Sequence, residues 1–205
     1  NILKSYKADY LFVSAPENVA WVLNIRGSDN PNSPIPNCRL IIGKGKGLFL
    51  ITQKKKASKI VAGKKLSKKQ IINPEKFEDL IKKLKGKKFI IDPLSCSVFN
   101  ENIIKSKFKI INKNDPCYKL KSIKNSSEIK HMINAHIEDG VALTKFIYWI
   151  KNINKKKITE IDSQNKLEKF RKLNKNYLFP SFNTIAGAGS NGAIVHYRAS
   201  QQSNK

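Results

Sequence analysis

The run Tyr10-Leu11-Phe12-Val13-Ser14-Ala15-Pro16-Glu17-Asn18-Val19-Ala20-Trp21-Val22-Leu23 decides how the first half of the chain is read. The unbroken apolar stretch Tyr10-Leu11-Phe12-Val13 reads as a strand. Pro16 suits a first helical turn, where its missing N–H costs nothing, and Val19, Ala20, Val22 and Leu23 follow at helical spacing. Working outward, residues 26–37 form a loop dense in Gly, Ser, Asp, Asn and Pro. Leu40-Ile41-Ile42 and Leu48-Phe49-Leu50-Ile51 flank Gly43, Gly45 and Gly47, a hairpin signal. A strand is expected over 69–72 and a helix from Pro74 to Lys85 that Gly86 ends. Further strands at Phe89-Ile90-Ile91 and Phe108-Lys109-Ile110-Ile111 enclose a short helix. The alternation predicts an α/β domain over residues 1–117.

Asn114-Asp115-Pro116 punctuates the chain, and residues 118–205 differ in texture. Ser126 or Ser127 is expected to cap a helix running to about Lys151, whose apolar face carries Ile129, Met132, Ile133, Ile137, Val141, Leu143, Ile147 and Ile150. A second helix is expected near Thr159, with Asp162 three residues later as a weaker form of a capping box. The last stretch reads as two strands, 182–186 and 193–197, around a Gly-rich turn.

The 205 residues carry 40 Lys plus Arg against 15 Asp plus Glu, a net charge of +25. Only Arg26, Arg39, Arg171 and Arg198 are arginines. Nucleic-acid sites favour the planar guanidinium fork over an ammonium. The surplus is therefore read as a solvated Lys surface, consistent with a genome rich in the AT-type codons that Lys, Ile and Asn share, and no specific nucleic-acid partner is expected. The densest runs, Lys54-Lys55-Lys56 and Lys155-Lys156-Lys157, read as loops or helix approaches. No apolar run approaches the ~20 residues of a membrane span, so no membrane role is expected. Cys38, Cys96 and Cys117 are widely spaced, with no CxxC pair, and fit a reducing, cytoplasmic setting. The chain opens on Asn1 rather than Met and is read as an internal fragment.

Gly187-Ala188-Gly189-Ser190-Asn191-Gly192 has the letters of a dinucleotide fingerprint, but a strand rather than a helix is expected after it, which favours a plain turn. His131 and His136 are five apart, about 140° around a helix, and cannot chelate one ion together. They, with Glu128, Glu138 and Asp139, read as solvent-facing helix charges. Arg26 and Asp29 are expected to form a structural ion pair or to shape a pocket. His196, ending the last strand beside Tyr197 and Arg198, is open to either a core or a functional reading; an imidazole suits proton handling near neutrality.

Three segments, taken in order, resemble the cytosolic three-domain aminopeptidase P (Xaa-Pro aminopeptidase) family. Trp21-Val22-Leu23-Asn24-Ile25-Arg26-Gly27-Ser28-Asp29 is similar to the signature of its middle domain. Leu120-Lys121-Ser122-Ile123-Lys124-Asn125-Ser126, with Glu128, Met132, Ala135-His136 and Ala142-Leu143, is similar to the opening of its catalytic domain. Ser181-Phe182-Asn183-Thr184-Ile185, Gly187 and Asn191-Gly192-Ala193-Ile194-Val195-His196-Tyr197 resemble its approach to the active site. Asn183 and Ser190 depart from the family's usual Asp and Pro. Pro34-Ile35-Pro36 looks like the bacterial branch.

The resemblance implies a creatinase-like α/β domain (1–117) followed by the truncated start of an α+β pita-bread peptidase domain (118–205). It implies a hydrolase that releases the N-terminal residue from proline-containing peptides, with proline in second position. Two divalent metal ions, typically Mn2+, would supply the hydroxide and polarise the carbonyl. The family's five ligands, two Asp, one His and two Glu, match no residue in this chain, and the first is expected on a strand just past Lys205, so the chain alone is expected to hold no metal and to be inactive. His196 matches the family's substrate-side histidine and is the one residue to which the resemblance gives a catalytic and substrate-binding role. A homodimer is implied for the full-length protein. The alternative is a pita-bread homologue that kept the fold, lost the metals and serves as a binding or scaffold protein.

Overall fold

The computed structural model describes residues 2–45, 47–153, 158–203 and 205. By internal contacts the chain divides into two units, Asn1–Ile123 and Lys124–Lys205. The first unit runs α1 (Ile2–Ser5), β1 (Tyr10–Val13), α2 (Pro16–Leu23), β2 (Arg39–Gly43), β3 (Leu48–Ile51), α3 (Ser58–Ala62), β4 (Ile71–Ile72), α4 (Phe77–Lys83), β5 (Lys88–Ile91), α5 (Val98–Lys105), β6 (Lys109–Asn112) and α6 (Pro116–Ser122). The strands form one mixed sheet in the order β4-β3-β2-β1-β5-β6. The β1–β2 and β2–β3 pairs are antiparallel, while β3–β4, β1–β5 and β5–β6 are parallel. Phe12 therefore faces Ile41 on one side and Ile91 on the other.

Helices cover both faces, which is why β1 and β5 are apolar without alternation. Leu11, Val13, Leu40, Leu50 and Ile90 point to one layer, with Val19 and Ala20 of α2 and Cys117 of α6. Tyr10, Phe12, Ile41, Phe89 and Ile91 point to the other, with Phe77 and Ile81 of α4 and Ile104 of α5. Aromatic rings dominate this second layer. Tyr10 stacks on Phe89 at 5.1 Å and meets Phe108 edge-on at 5.7 Å, and Phe12 stacks on Phe77 at 5.4 Å.

Buried polar groups pin the ends of the elements. Asp115 caps α6, accepting the Cys117 N–H at 2.9 Å and the Asn18 Nδ2 at 2.7 Å. Asp92 accepts the Asp115 N–H at 3.0 Å, and Lys121 donates to Asn18 Oδ1 at 2.6 Å. This network ties α2 to α6 and accounts for a fully buried Asn on an apolar helix face. Asp9 does similar work at the opposite end of β1. Its carboxylate accepts the N–H groups of Lys87 and Lys88 at 2.7 and 3.0 Å, and its carbonyl accepts Lys44 N–H at 2.8 Å.

Three boundaries differ from the sequence reading. The strand expected over 69–72 begins at Ile71, because Lys68–Gln70 form a 3-10 turn closed by a Ser67–Gln70 capping box. The Pro74 helix opens as a 3-10 turn, Pro74–Lys76, and stops at Lys83, where Leu84 becomes extended and buries its side chain. Gly86 therefore does not cap that helix; it lets the chain pass Asp9, since a Cβ there would lie 2.8 Å from Asp9 Cγ. The run Lys54-Lys55-Lys56 forms an exposed 3-10 turn, Lys54–Ala57, whereas Lys155-Lys156-Lys157 lies outside the described residues.

The second unit is built on α7 (Ser126–Lys151) and α8 (Glu160–Arg171). Asn125, not Ser126 or Ser127, caps α7: its side chain accepts the Glu128 N–H, and Glu128 reaches back to the Asn125 N–H, each at 2.9 Å. Asn holds this geometry at least as well as Ser. Thr159 and Asp162 form the expected box on α8. Arg171 grips Asp139 with two bonds, at 2.6 and 3.1 Å, fixing α8 to α7. Only Ala142 of α7 is buried, and Ile133 and Ile137 are 55% and 60% exposed. One 12-residue helix cannot cover the stripe along a 26-residue helix of about seven turns. No helix among the described residues is long and apolar enough to cross a membrane.

Candidate functional site

The last stretch of the chain is organised by one side chain from the start of α8. Thr159 is extended, so Glu160 enters the first helical turn with its carboxylate turned away from solvent, 4% exposed. Glu160 Oε1 accepts the Ala188 N–H at 2.6 Å and the Asn191 Nδ2 at 3.1 Å. Oε2 accepts the Tyr197 O–H at 2.7 Å and the Lys205 N–H at 3.3 Å. Its own N–H donates to the Lys205 carbonyl at 2.9 Å. Burial alone would raise this carboxyl, but the bonds from Ala188, Tyr197, Asn191 and Lys205 outweigh it and hold the group down at about 2. The Tyr197 phenol is pushed up, chiefly by burial and further by the Glu160 charge, and so remains a donor.

Asn191 and Tyr197 are buried and also joined to each other, Asn191 Nδ2 donating to the tyrosine oxygen at 2.8 Å. Gly187 permits this folding-back, because a Cβ there would sit 2.9 Å from the Asn191 backbone. Between the anchors the chain makes a 3-10 turn, Gly189–Ala193, and then a turn closed by Tyr197 N–H to the Ile194 carbonyl at 3.2 Å. His196 sits in that second turn, exposed, with φ of 55°. A left-handed histidine is uncommon and marks a backbone held by its surroundings.

The two strands expected at 182–186 and 193–197 are therefore not formed. A strand needs its N–H and C=O groups for a neighbour, and in 193–197 the Ile194 and Tyr197 N–H groups go to local turns, onto the Asn191 and Ile194 carbonyls at 3.2 Å. His196 consequently lies in a turn rather than at a strand end. Glu160 was not legible as the organiser, since its partners lie 28 to 45 residues away in sequence.

The other residues singled out by sequence stay apart from this cluster. His131 and His136 are exposed on α7, and His136 Nδ1 bonds the Met132 carbonyl at 2.8 Å. Glu138 bonds Asn174, and Asp139 bonds Arg171. In the first unit, the expected Arg26–Asp29 pair gives way to Asp29–Lys56 at 2.5 Å, with the Asn37 N–H also on Asp29 at 2.6 Å. Arg26 instead folds back on the Ile25 carbonyl at 2.9 Å. These residues border a pocket of about 370 Å3 with Cys38 and Thr52. Among the described residues no group of three or more His, Cys, Asp or Glu is placed to hold a metal, so they do not fit a two-metal centre.

Comparison with known proteins gives this arrangement its context. Residues 1–128 match the Creatinase/Prolidase N-terminal domain. The chain belongs to the creatinase/prolidase family. Residues 130–205 match metallopeptidase family M24, so the family's α/β N-terminal domain is followed by the start of its pita-bread domain. The Xaa-Pro aminopeptidase ApepP of Drosophila melanogaster is 34% identical over 210 residues, covering 99% of this chain and 34% of that protein. Xaa-Pro aminopeptidase 1 of Dictyostelium discoideum is 35% identical over 204 residues, covering 96% and 32%. The chain thus spans about a third of the length of these relatives. Among solved structures, the X-prolyl aminopeptidase of Caenorhabditis elegans, described as a cytosolic enzyme with a di-nuclear active site, superposes with a TM-score of 0.84. At 24% identity, over all of this chain and 35% of that one, it supports the creatinase-family fold. The prolidase of Pyrococcus furiosus gives a TM-score of 0.60 at 22% identity, over 97% of this chain and 55% of its own.

Proposed function

We propose that this chain is part of a metal-dependent aminopeptidase that releases the N-terminal residue from peptides with proline in second position. The observation that carries the proposal is the 34% identity to a Xaa-Pro aminopeptidase extending over 99% of the chain. The chain would supply the family's N-terminal domain and the peptide-facing start of the catalytic domain, while the metal ligands would come from elsewhere in the protein. His196, exposed on its anchored turn, would donate a hydrogen bond to the peptide and stabilise charge at the scissile carbonyl. Two divalent ions, with Mn2+ as the first candidate, would generate the attacking hydroxide when bound. A cytoplasmic homodimer acting on proline-containing peptides belongs to the same reading. Placement in a bacterial branch rests on Pro34-Ile35-Pro36 alone, and the relatives from Drosophila and Dictyostelium support only the family.

The test uses the full-length protein with an Arg-Pro-Pro peptide, with Mn2+ added and after chelation. Cleavage is expected between Arg and the first Pro, lost on chelation and restored by metal. His196→Ala is expected to lower kcat/KM by about a hundredfold, the typical effect of removing one donor to a developing charge. A folded full-length protein that binds no metal and cleaves no such peptide would replace the proposal with the non-catalytic reading.

A further inference from the structure

We infer that Glu160 is a positioning residue for His196, acting through Tyr197 and Asn191; the inference rests on the aminopeptidase reading. Glu160 is buried, and every partner of its carboxylate among the described residues is a neutral N–H or O–H group. No Lys or Arg side chain pairs with it among the described residues. Burying an unpaired charge is costly, and a fold that needed only a plug would be better served by an apolar side chain. A carboxylate does what such a residue cannot, which is to collect several donors converging from different directions.

The converging donors define what is being held. Three of the four come from Ala188, Asn191 and Tyr197, points along one ten-residue segment, and the fourth is the Lys205 N–H further on. Ala188 fixes its entry and Tyr197 its exit, while residues 192–196 between the last two anchors are exposed. His196 is the residue immediately before the exit anchor, and its left-handed backbone is the conformation that lets Tyr197 turn inward while the imidazole stays at the surface. Asn191 and Tyr197 bond each other as well, so the two anchors are set jointly rather than separately. Glu160 never reaches the exposed residues, which is why it is assigned positioning and not contact with substrate.

A purely structural clamp and a positioning residue differ in what they do to His196. The experiment is a double-mutant cycle on the full-length, metal-loaded enzyme with wild type, Glu160→Gln, His196→Ala and the double variant, each normalised to its folded fraction by circular dichroism. Gln keeps the shape but loses the charge and one acceptor. Glu160→Gln is expected to lower kcat/KM about tenfold or more in the wild-type background, since misplacement on the order of 1 Å can cost up to a hundredfold. In the His196→Ala background the same change is expected to cost less than about twofold. Equal losses in both backgrounds would overturn the inference. Should Glu160→Gln not fold, Tyr197→Phe, which removes one donor and keeps the ring, is run through the same cycle with the same criteria.

A readout independent of turnover separates this inference from the aminopeptidase reading. In 13C-histidine-labelled full-length protein, the His196 ring resonance, assigned through His196→Ala, is expected to move or broaden in Glu160→Gln and in Tyr197→Phe, while those of His131 and His136 stay in place. An unmoved His196 signal overturns the positioning role even if peptides are cleaved. A moved signal in a protein that cleaves nothing supports positioning and removes only the peptidase reading.

Discussion

Gly86→Ala sets two opposing effects against each other at a single site. The backbone of Gly86 is not left-handed, so adding a methyl there would ordinarily stabilise the protein by about 0.4–1 kcal/mol by restricting the unfolded chain. The structure puts an obstacle in the way. The new Cβ would stand 2.8 Å from Asp9 Cγ and 2.9 Å from Asp9 Cβ, so the side chain must move. That side chain holds the N–H groups of Lys87 and Lys88 at 2.7 and 3.0 Å, at the entry to β5. Hydrogen bonds to a charged group contribute about 1.5–3 kcal/mol each. Loss of most of that, less the unfolded-state gain and some relaxation, leaves a net destabilisation of about 2–4 kcal/mol. At about 4 °C per kcal/mol for a unit of this size, the Tm should fall by about 8–16 °C. Thermal melts followed by circular dichroism on wild type, Gly86→Ala, Asp9→Ala and the double variant measure this directly. With Asp9 shortened to Ala the Cγ contact and the two carboxylate bonds are already gone and only the 2.9 Å approach to the Asp9 Cβ remains, so Gly86→Ala should cost clearly less than in wild type. A single Gly86→Ala variant that melts at or above the wild-type temperature would refute the reasoning, because the carboxylate would then have given way without cost.

Glu160 predicts an acid-sensitive C-terminal stretch. Its carboxyl is held at about 2, below the ordinary value of 4.5, so its contribution is fully present above that ordinary value and is lost as the pH falls through about 2. Hydrogen exchange of the Ala188 amide, measured across that window and corrected for intrinsic rates, should lose protection in wild type, and Glu160→Gln should abolish the pH dependence. The three cysteines should resist alkylation. Burial pushes Cys38 and Cys117 up to about 12, and burial with the Glu101 charge raises Cys96 to about 11. Iodoacetamide at pH 8 should leave all three unmodified in the folded chain and label all three in denaturant; labelling of Cys38 or Cys117 in native protein would contradict their placement in the core.

The legible part of the fold was the part written in local pattern. Tyr10–Val13, Leu48–Ile51 and the Pro16 helix appear where their residues place them, because an apolar run covered on both sides or a proline at a helix start is a short-range signal. The order of the sheet was not legible: nothing local to β1 says that β5, some 78 positions later, lies beside it. The strand reading of Ala193-Ile194-Val195-His196-Tyr197 failed for a related reason. Its β-branched and aromatic composition suits a strand, but its backbone donors and Tyr197 are committed to turns and to a carboxylate far away in sequence. The resemblance singled out His196, whereas Glu160, on which the Ala188, Asn191 and Tyr197 donors converge, stands in none of the segments that carry it.

The placement of β1 at the centre of the sheet has a consequence during synthesis. β1 to β4 are complete once Ile72 has been made, and α2 and α3 are then available to cover one side. The other side must wait. The rings of Phe77, Phe89 and Phe108, which pack against Tyr10 and Phe12, come later in the chain. A nascent chain that has emerged from the ribosome only as far as Lys76 would therefore present Tyr10, Phe12, Ile41 and Ile51 to water as a bare apolar sheet surface. For the interval in which the ribosome adds residues 77–112, this half-sheet is a natural client for a chaperone, and slowing translation across that segment should lower soluble yield even though the finished protein is unchanged.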